Sequence, residues 1–344
     1  MGIFYSLKAK LLIFGLCISL IPIAIITTIS YFNARNALKR QIMQDLTAVA
    51  ESRKAHVLEF LEAKKGRTID FGSDGFIRDS LEKINRGVSL RQNNVTALNR
   101  HLSMNKMPLD PHIAAIEVVD MNGKVAASTN ETMIGRDVSG QEIYKKSIHA
   151  ASNNSYVSQP YHSTYLDAKS IDISAPLTSR RGSKTIGVLI IVYSLDVLNK
   201  ITTQRASLRE TGEVYIVNKD KQMITDSRFI ENAPLAVVVD TEPVRMAVER
   251  GEEMAGVYPD YRNIPVIGVS VYIPEYGWTF LSEIDKAEAF APLKWLGIFA
   301  GIVGGICAAV VSGVGIILAA SVSRPIKRLT DATRRFAGGD LKAR

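Results

Sequence analysis

Between residues 141 and 172 the sequence gathers side chains suited to holding a small polar molecule: Tyr144, Tyr156, Tyr161, His162, Tyr165, Asp167 and Asp172. A tyrosine offers a flat apolar face and a hydroxyl, which suits a half-dry pocket. Tyrosine is also common on ordinary strands, so each of these residues has a plain structural reading beside the functional one. Strand alternation sends Tyr161, Ser163 and Tyr165 to one face and His162 to the other. Tyr144 falls on the helix that precedes them. The expected site is therefore Tyr144, Tyr161 and Ser163, with His162, Tyr165 and Asp167 as neighbours. The chemistry expected there is binding. The chain has no Gly-x-Ser-x-Gly, and His56, His101, His112, His149 and His162 lack metal-ligand spacing. No Gly-rich phosphate loop follows a strand. Neither catalysis, a metal nor a cofactor is expected.

These residues need a sheet to hold them. Ala115-Ile116-Glu117-Val118-Val119-Asp120, the turn pair Asn122-Gly123 and Lys124–Ser128 read as a hairpin. A helix over 141–151 follows, then strands at Tyr156–Tyr161, Ile171–Leu177 and Thr185–Tyr193. The pattern then recurs. A strand from Gly212 to Asn218, a polar turn and a strand Gln222–Ser227 repeat the hairpin. A helix Thr241–Arg250 and strands Met254–Tyr258, Val266–Ile273 and Trp278–Ile284 complete the copy. Two α+β units, each an antiparallel sheet with helices to one side, are expected, joined by a helix over 196–211.

Both ends of the chain are apolar. Leu11–Ala34 and Trp295–Ser323 contain no charged residue, and each exceeds the ~20 residues that cross a bilayer as a helix. A cleaved signal peptide fits the first run poorly, since h-regions are ~7–15 residues long and no small-residue cleavage site follows. Lys8 and Lys10 precede the first run. Arg324, Lys327, Arg328, Arg334, Arg335, Lys342 and Arg344 follow the second, against Asp331 and Asp340. Lysine- and arginine-rich flanks stay in the cytoplasm, so both ends are expected inside and residues 35–293 outside a bacterial inner membrane. The flanks supply +2 and +5 of the net charge of +8, leaving +1 between them. Nucleic acid is therefore not an expected partner. Cys17 and Cys307 are the two cysteines, one in each apolar run, so the exported region must fold without disulfides.

Leu38, Ile42, Leu46 (or Asp45), Val49, Arg53, His56, Phe60 and Ala63 step by threes and fours. This stripe suits either a parallel homodimer or packing on the helix's own domain. Gly297, Gly301, Gly305, Ala309 and Gly313 place a small residue at every fourth position of the second run, which suits close packing on the first membrane helix or a second subunit.

The order of long helix, hairpin, Ile173-Ser174-Ala175-Pro176-Leu177, Ile186-Gly187-Val188-Leu189 and Ser194-Leu195-Asp196, with a second hairpin from Gly212 and Tyr276-Gly277-Trp278, resembles the double Cache sensor domain of bacterial receptors. Arg324-Pro325-Ile326-Lys327-Arg328-Leu329 followed by Gly339-Asp340-Leu341 resembles the first helix of a HAMP relay domain and the turn that ends it. The resemblance implies a cytoplasmic segment 1–10, membrane helix 11–34, a helical region 35–107 and a membrane-distal Cache subdomain 108–195. A linker helix 196–211, a membrane-proximal subdomain 212–290, membrane helix 295–322 and a partial HAMP segment 323–344 follow. It implies a small-molecule ligand in the distal subdomain and a cytoplasmic signalling domain downstream, of chemotaxis, kinase or cyclase type. The alternative is a membrane-anchored binding or scaffold protein. Amino-acid sensors of this family resemble one another in Arg-x-Trp-Tyr, Tyr-x-Asp and a later aspartate. Here Tyr144 and Tyr161 match the tyrosines, while Gln141, Ile143, Ser163 and Val192 stand where the arginine, tryptophan and two aspartates would be. That implies a ligand other than a free α-amino acid, neutral or singly charged, or sensing through a binding protein.

Overall fold

A computed structural model describes residues 7–87, 91–182, 184–202 and 209–337. The chain divides into two compact units, Ile42–Lys286 and the pair of terminal segments, Met1–Gln41 with Ala287–Arg344.

In the first unit, helix α1 (Leu7–Ser73) supplies its C-terminal part. It ends where Asp74 caps α2 (Gly75–Asn85), accepting hydrogen bonds from the amides of Phe76 and Ile77 at 2.8 and 3.1 Å. Helix α3 (Arg91–His101) follows. The sheet of the expected distal subdomain contains β1 (Ile113–Asp120), β2 (Val125–Ser128), β3 (Tyr156–Val157), β4 (Tyr161–Ser163), β5 (Ala168–Thr178) and β6 (Thr185–Ser194). Its order is β2-β1-β6-β5-β3, with β4 also on β5. Helix α4 (Glu142–Ile148) lies between β2 and β3 in sequence. The proximal sheet has β7 (Glu213–Val217), β8 (Ala255–Pro259), β9 (Pro265–Ile273) and β10 (Trp278–Asp285) in the order β7-β10-β9-β8. Helix α5 (Asp196–Thr202) precedes this sheet and α6 (Glu242–Arg250) accompanies it. All pairings are antiparallel.

Three expectations change here. The segment Gln222–Ser227 is no strand; it makes single bridges, Val217 with Met223 and Gln222 with Val238. The linker is helical over Asp196–Thr202, and residues 203–208 lie outside the described residues. On α1 the buried residues are Ile42, Leu46, Ala50, Val57, Leu61, Lys64, Thr68 and Phe71, while His56 and Ala63 are exposed. The buried face therefore departs from the expected stripe after Leu46 and shifts by one residue. Lys64 hid it, because a charged residue does not read as core. Its ammonium pairs with the buried carboxylate of Asp110 and lies 5.4 Å from the centre of the Tyr193 ring.

That pair fixes the helix to the distal unit, and breaking it leaves a buried carboxylate. Lys64→Ala is expected to lower stability by about 3 kcal/mol, the more distant Arg67 (3.5 Å) offering Asp110 partial compensation. Adding Asp110→Asn should recover most of the loss. Urea unfolding of the single and double variants checks this, and an unchanged midpoint for Lys64→Ala would refute the role.

In the second unit, the N-terminal part of α1 spans Pro22 without interruption, and a four-residue helix α7 (Lys286–Ala289) precedes α8 (Ala291–Ala337). A Cβ built on Gly15 would lie 3.7 Å from Val311, so the two helices touch there. Among the described residues nothing lies within 4 Å of the corresponding point at Gly297, Gly301, Gly305 or Gly313. The row of small residues is therefore not used against α1. Pro325, in the segment that resembles the start of a HAMP helix, lies inside α8, which runs through it. A proline removes one backbone donor, and a long helix can absorb that loss. Gly339-Asp340-Leu341 lies outside the described residues.

Candidate functional site

The register of the distal sheet builds one chemical face. Ala115 on β1 and Asp172 on β5 both stand opposite Val192 on β6, so all three side chains leave the sheet on the same side. Glu117, two residues beyond Ala115, joins them. These four form the floor of a cavity of about 370 Å³. Asn130 and Met133 line it from the segment after β2, Gln141 and Ile143 from the start of α4. The last wall is the β3–β4–β5 stretch, through Ser158, Gln159, Tyr161 and Tyr165.

The floor is held by a short network. Asp172 and Ser158 exchange bonds: the amide of Asp172 donates to Ser158 Oγ and the amide of Ser158 to the carbonyl of Asp172, both at 2.9 Å. The Tyr161 hydroxyl donates to the Asp172 carboxylate, 2.9 and 3.0 Å from its two oxygens. Burial pushes the Asp172 carboxyl up to about 8 against the opposing effect of that hydrogen bond. Burial likewise pushes Glu117 up to about 7, with the nearby positive charge of Arg136 opposing. Tyr161 is raised as well, first by burial and then by the Asp172 charge. Arg136 itself lies with its guanidinium 4.3 Å from the centre of the Tyr165 ring, its Nε donating to the Thr132 carbonyl at 3.0 Å.

Of the expected site residues, Tyr161, His162, Ser163 and Tyr165 border this cavity. Tyr144 does not. It is buried with Val119, Ile143, Val188 and Ile190, and its hydroxyl donates to the carbonyls of Asp120 and Met121 at 3.2 and 3.0 Å. Its helix turns that side chain to the hairpin end of β1, and Ile143 faces the cavity instead. Asp167 does not line it either. It occupies the β4–β5 turn at φ +47° with its side chain exposed, 3.7 Å from His162. Tyr165 belongs to the same turn rather than to a strand, because β4 stops at Ser163; strand alternation therefore does not govern it. Sequence reasoning missed Glu117 and Gln159. The signal for Glu117 was present: it is the lone charge within Ile113–Val119, on a strand otherwise apolar.

A second hollow of about 660 Å³ near the β5–β6 turn is bordered by Glu82, Arg86, Arg181 and Lys184. Arg86 and Glu82 already pair there at 3.3 Å, and mixed exposed charge gives it no defined chemistry.

Residues 34–293 match the family model of the Cache domain, dCache_1. The chain belongs to the Cache domain family. A curated relative is the methyl-accepting chemotaxis protein McpA of Bacillus subtilis, 21% identical over 341 residues. The match covers 98% of this chain and 47% of McpA, so the chain spans about half the length of that relative. Among solved structures, the sensor domain of the Vibrio cholerae histidine kinase DctB aligns with a TM-score of 0.56 at 12% identity, over 72% of this chain and 98% of that one. The ligand-binding domain of the Campylobacter jejuni chemoreceptor Tlp3, in complex with 4-methylisoleucine, aligns at 0.52 and 13% identity, over 73% and 94%. The Mlp24 ligand-binding domain with asparagine aligns at 0.50 and 15%, over 76% and 98%. At these identities the likeness is one of fold. It supplies the expected Cache architecture, mixed helix and antiparallel sheet, and the cavity lies in the distal sheet of that Cache fold.

Proposed function

We propose that this chain is the sensing and relay portion of a bacterial transmembrane receptor of the chemotaxis or sensor-kinase type, binding a small molecule in its distal cavity. The observation that carries the reading is the cavity itself: a buried polar floor built by the strand register, walled by a helix start and two loops. Two further facts support it. The helices containing Ile13–Ser73 and Ala291–Leu318 are long and apolar enough to cross a membrane. Members of the family with this fold serve, by their names, in chemoreceptors and a histidine kinase. With basic flanks inside, the Cache region lies outside the inner membrane and α8 carries the signal inward to a downstream domain. Ligand binding acts by biasing two packings of these helices.

Gln141, Ile143, Ser163 and Val192, the four positions where charges or tryptophan would clamp an amino acid, all line the cavity. Their neutral side chains support a ligand other than the free amino acids named for Tlp3 and Mlp24. A homodimer is part of this reading. Its contact lies on the exposed face of α1, because Ile42 and Leu46 are buried within their own chain.

The test uses the whole chain in lipid nanodiscs, screened against small metabolites by thermal unfolding. A ligand at a hundredfold excess over its Kd adds about 2.7 kcal/mol, a shift of several degrees. Tyr161→Ala should abolish the shift. Alkaline phosphatase fused after Thr202 should be active and after Ala337 inactive. The reverse fusion pattern, or a ligand whose shift ignores Tyr161→Ala, would overturn the reading.

A further inference from the structure

The charges around the distal cavity are one-sided. Glu117, Glu142 and Asp172 border it, Glu142 being paired with Lys146 at 2.9 Å, and among the described residues that line it none is lysine or arginine. Asp172 has a partner in Tyr161. Glu117 has none: its side chain is 6% exposed, it faces the cavity, and no hydrogen bond or ion pair reaches its carboxylate among the described residues. A buried carboxylate without a partner is costly, and a group arriving in the cavity is what can relieve it. The nearest cation, Arg136, is committed elsewhere, to the Thr132 carbonyl and the Tyr165 ring.

We propose that the distal cavity takes a small organic cation lacking a carboxylate, an amine or quaternary ammonium, with Glu117 as its counter-ion. Asp172 supplies the second anionic group, and the rings of Tyr161 and Tyr165 meet the cation's apolar part. Cations favour the faces of such rings. A volume of about 370 Å³ is at the small end of the range for ligand pockets. The proposal rests on the sensor reading above and narrows it to one ligand class.

A proton linkage follows. Burial raises Asp172 to about 8 and Glu117 to about 7, so near neutral pH Asp172 is mostly protonated and Glu117 about half so. An entering cation favours the ionised forms, so binding releases protons and tightens as pH rises from 6 to 8. The groups that face the cation are Glu117 from β1, Asp172 from β5, Glu142 from α4, Tyr161 and His162 from β4, and Tyr165 from the turn. Arg136 stands behind Tyr165.

The experiment is calorimetry on the whole chain in nanodiscs with matched probes: putrescine against ornithine, choline against glycine betaine, with acetate and glucose as anionic and neutral controls. The member of each pair without the carboxylate should bind at least about tenfold tighter. Glu117→Gln should weaken it by about ten- to a hundredfold, and Asp172→Asn in the same direction. Both variants remove a carboxyl group whose ionisation burial opposes, so at pH 8 and above their melting points should equal or exceed that of the unaltered protein. Heats in buffers of different ionisation enthalpy should show proton release. A carboxylate-bearing partner that binds more tightly, binding only by acetate or glucose, or unchanged affinity in Glu117→Gln would overturn the cation while leaving the sensor reading intact. Binding by no probe of any class would overturn the cation assignment, and failure of the wider metabolite screen would then remove the sensor reading as well.

Discussion

The folded Cache region is expected to melt at a markedly lower temperature at pH 9 than at pH 6, and Glu283→Gln should remove a large part of that difference. Glu283 sits on β10 directly opposite Glu213 of β7 and next to Gly268 of β9. It is buried, its Oε2 accepts a hydrogen bond from Tyr215 at 3.0 Å, and its Oε1 has no partner among the described residues. Burial pushes its carboxyl up to about 8, beyond what the hydrogen bond can offset. In the unfolded chain the same group titrates near its ordinary value of 4.5. The folded state therefore keeps a proton that the unfolded state gives up. Its stability contribution is complete below the unfolded value and is lost as pH rises through about 8. At about 1.4 kcal/mol per pH unit, the part of that loss that falls between pH 6 and 9 is on the order of 3 kcal/mol. Asp172 and Glu117 act in the same direction, so the variant should flatten the curve without levelling it. Calorimetric melts of both proteins across pH 5–9 measure this. Parallel curves would refute the assignment.

The second large effect concerns communication between the two sheets. Gln159 lines the distal cavity, yet its side chain also grips the proximal unit. Its Nε2 donates to the Tyr276 carbonyl at 2.8 Å, and its Oε1 accepts from the Trp278 indole at 3.1 Å. Tyr276 belongs to the β9–β10 turn and Trp278 opens β10; between them Gly277 has φ +67°, and the Tyr276 ring packs 5.2 Å from that of Trp278. A ligand that moves the wall of the cavity thus moves the environment of a buried tryptophan. The chain has two tryptophans, Trp278 and Trp295, so a Trp295→Phe background leaves Trp278 as the single reporter. In that background, saturating ligand is expected to shift the Trp278 emission, and Gln159→Ala to abolish the shift. Measuring at saturation removes any effect of altered affinity. A shift that persists in Gln159→Ala would show that the coupling runs elsewhere.

The fold and the site were legible to different depths. Strand-like runs and turn residues located β1, β2, β5 and β6 of the distal sheet, whereas the single strand expected over Tyr156–Tyr161 is two short ones, β3 and β4, each pairing separately with β5. The positions Gln141, Ile143, Ser163 and Val192 came from resemblance, and all border the cavity. Tyr144 and Asp167 were misplaced for two physical reasons. Tyr144 is drawn away from the cavity by the carbonyls of Asp120 and Met121, which its hydroxyl reaches from among Val119, Val188 and Ile190. A turn residue at positive φ serves the backbone first. Glu117 escaped notice because a single carboxylate in an apolar strand reads as an exception until the opposing strand, 73 residues later, gives it a shared face with Asp172. Lys64 escaped for the same reason on α1.

The two sheets carry the same turn: Asp120 Oδ1 accepts from the amides of Asn122 and Lys124, and Asn218 Oδ1 from those of Asp220 and Gln222. Aligned on it, the register pairs the distal floor with proximal counterparts: Glu117 with Tyr215, Ala115 with Glu213, Val192 with Glu283, Asp172 with Gly268 and Tyr161 with Tyr258. In the proximal copy the bare backbone at Gly268 admits the Tyr258 hydroxyl, and the Glu283 stem packs there as well. The space that forms the cavity in one repeat is filled by the chain's own side chains in the other. The duplicated architecture therefore divides its labour: one copy keeps room beside its sheet for a guest, and its twin fills the equivalent room with its own side chains.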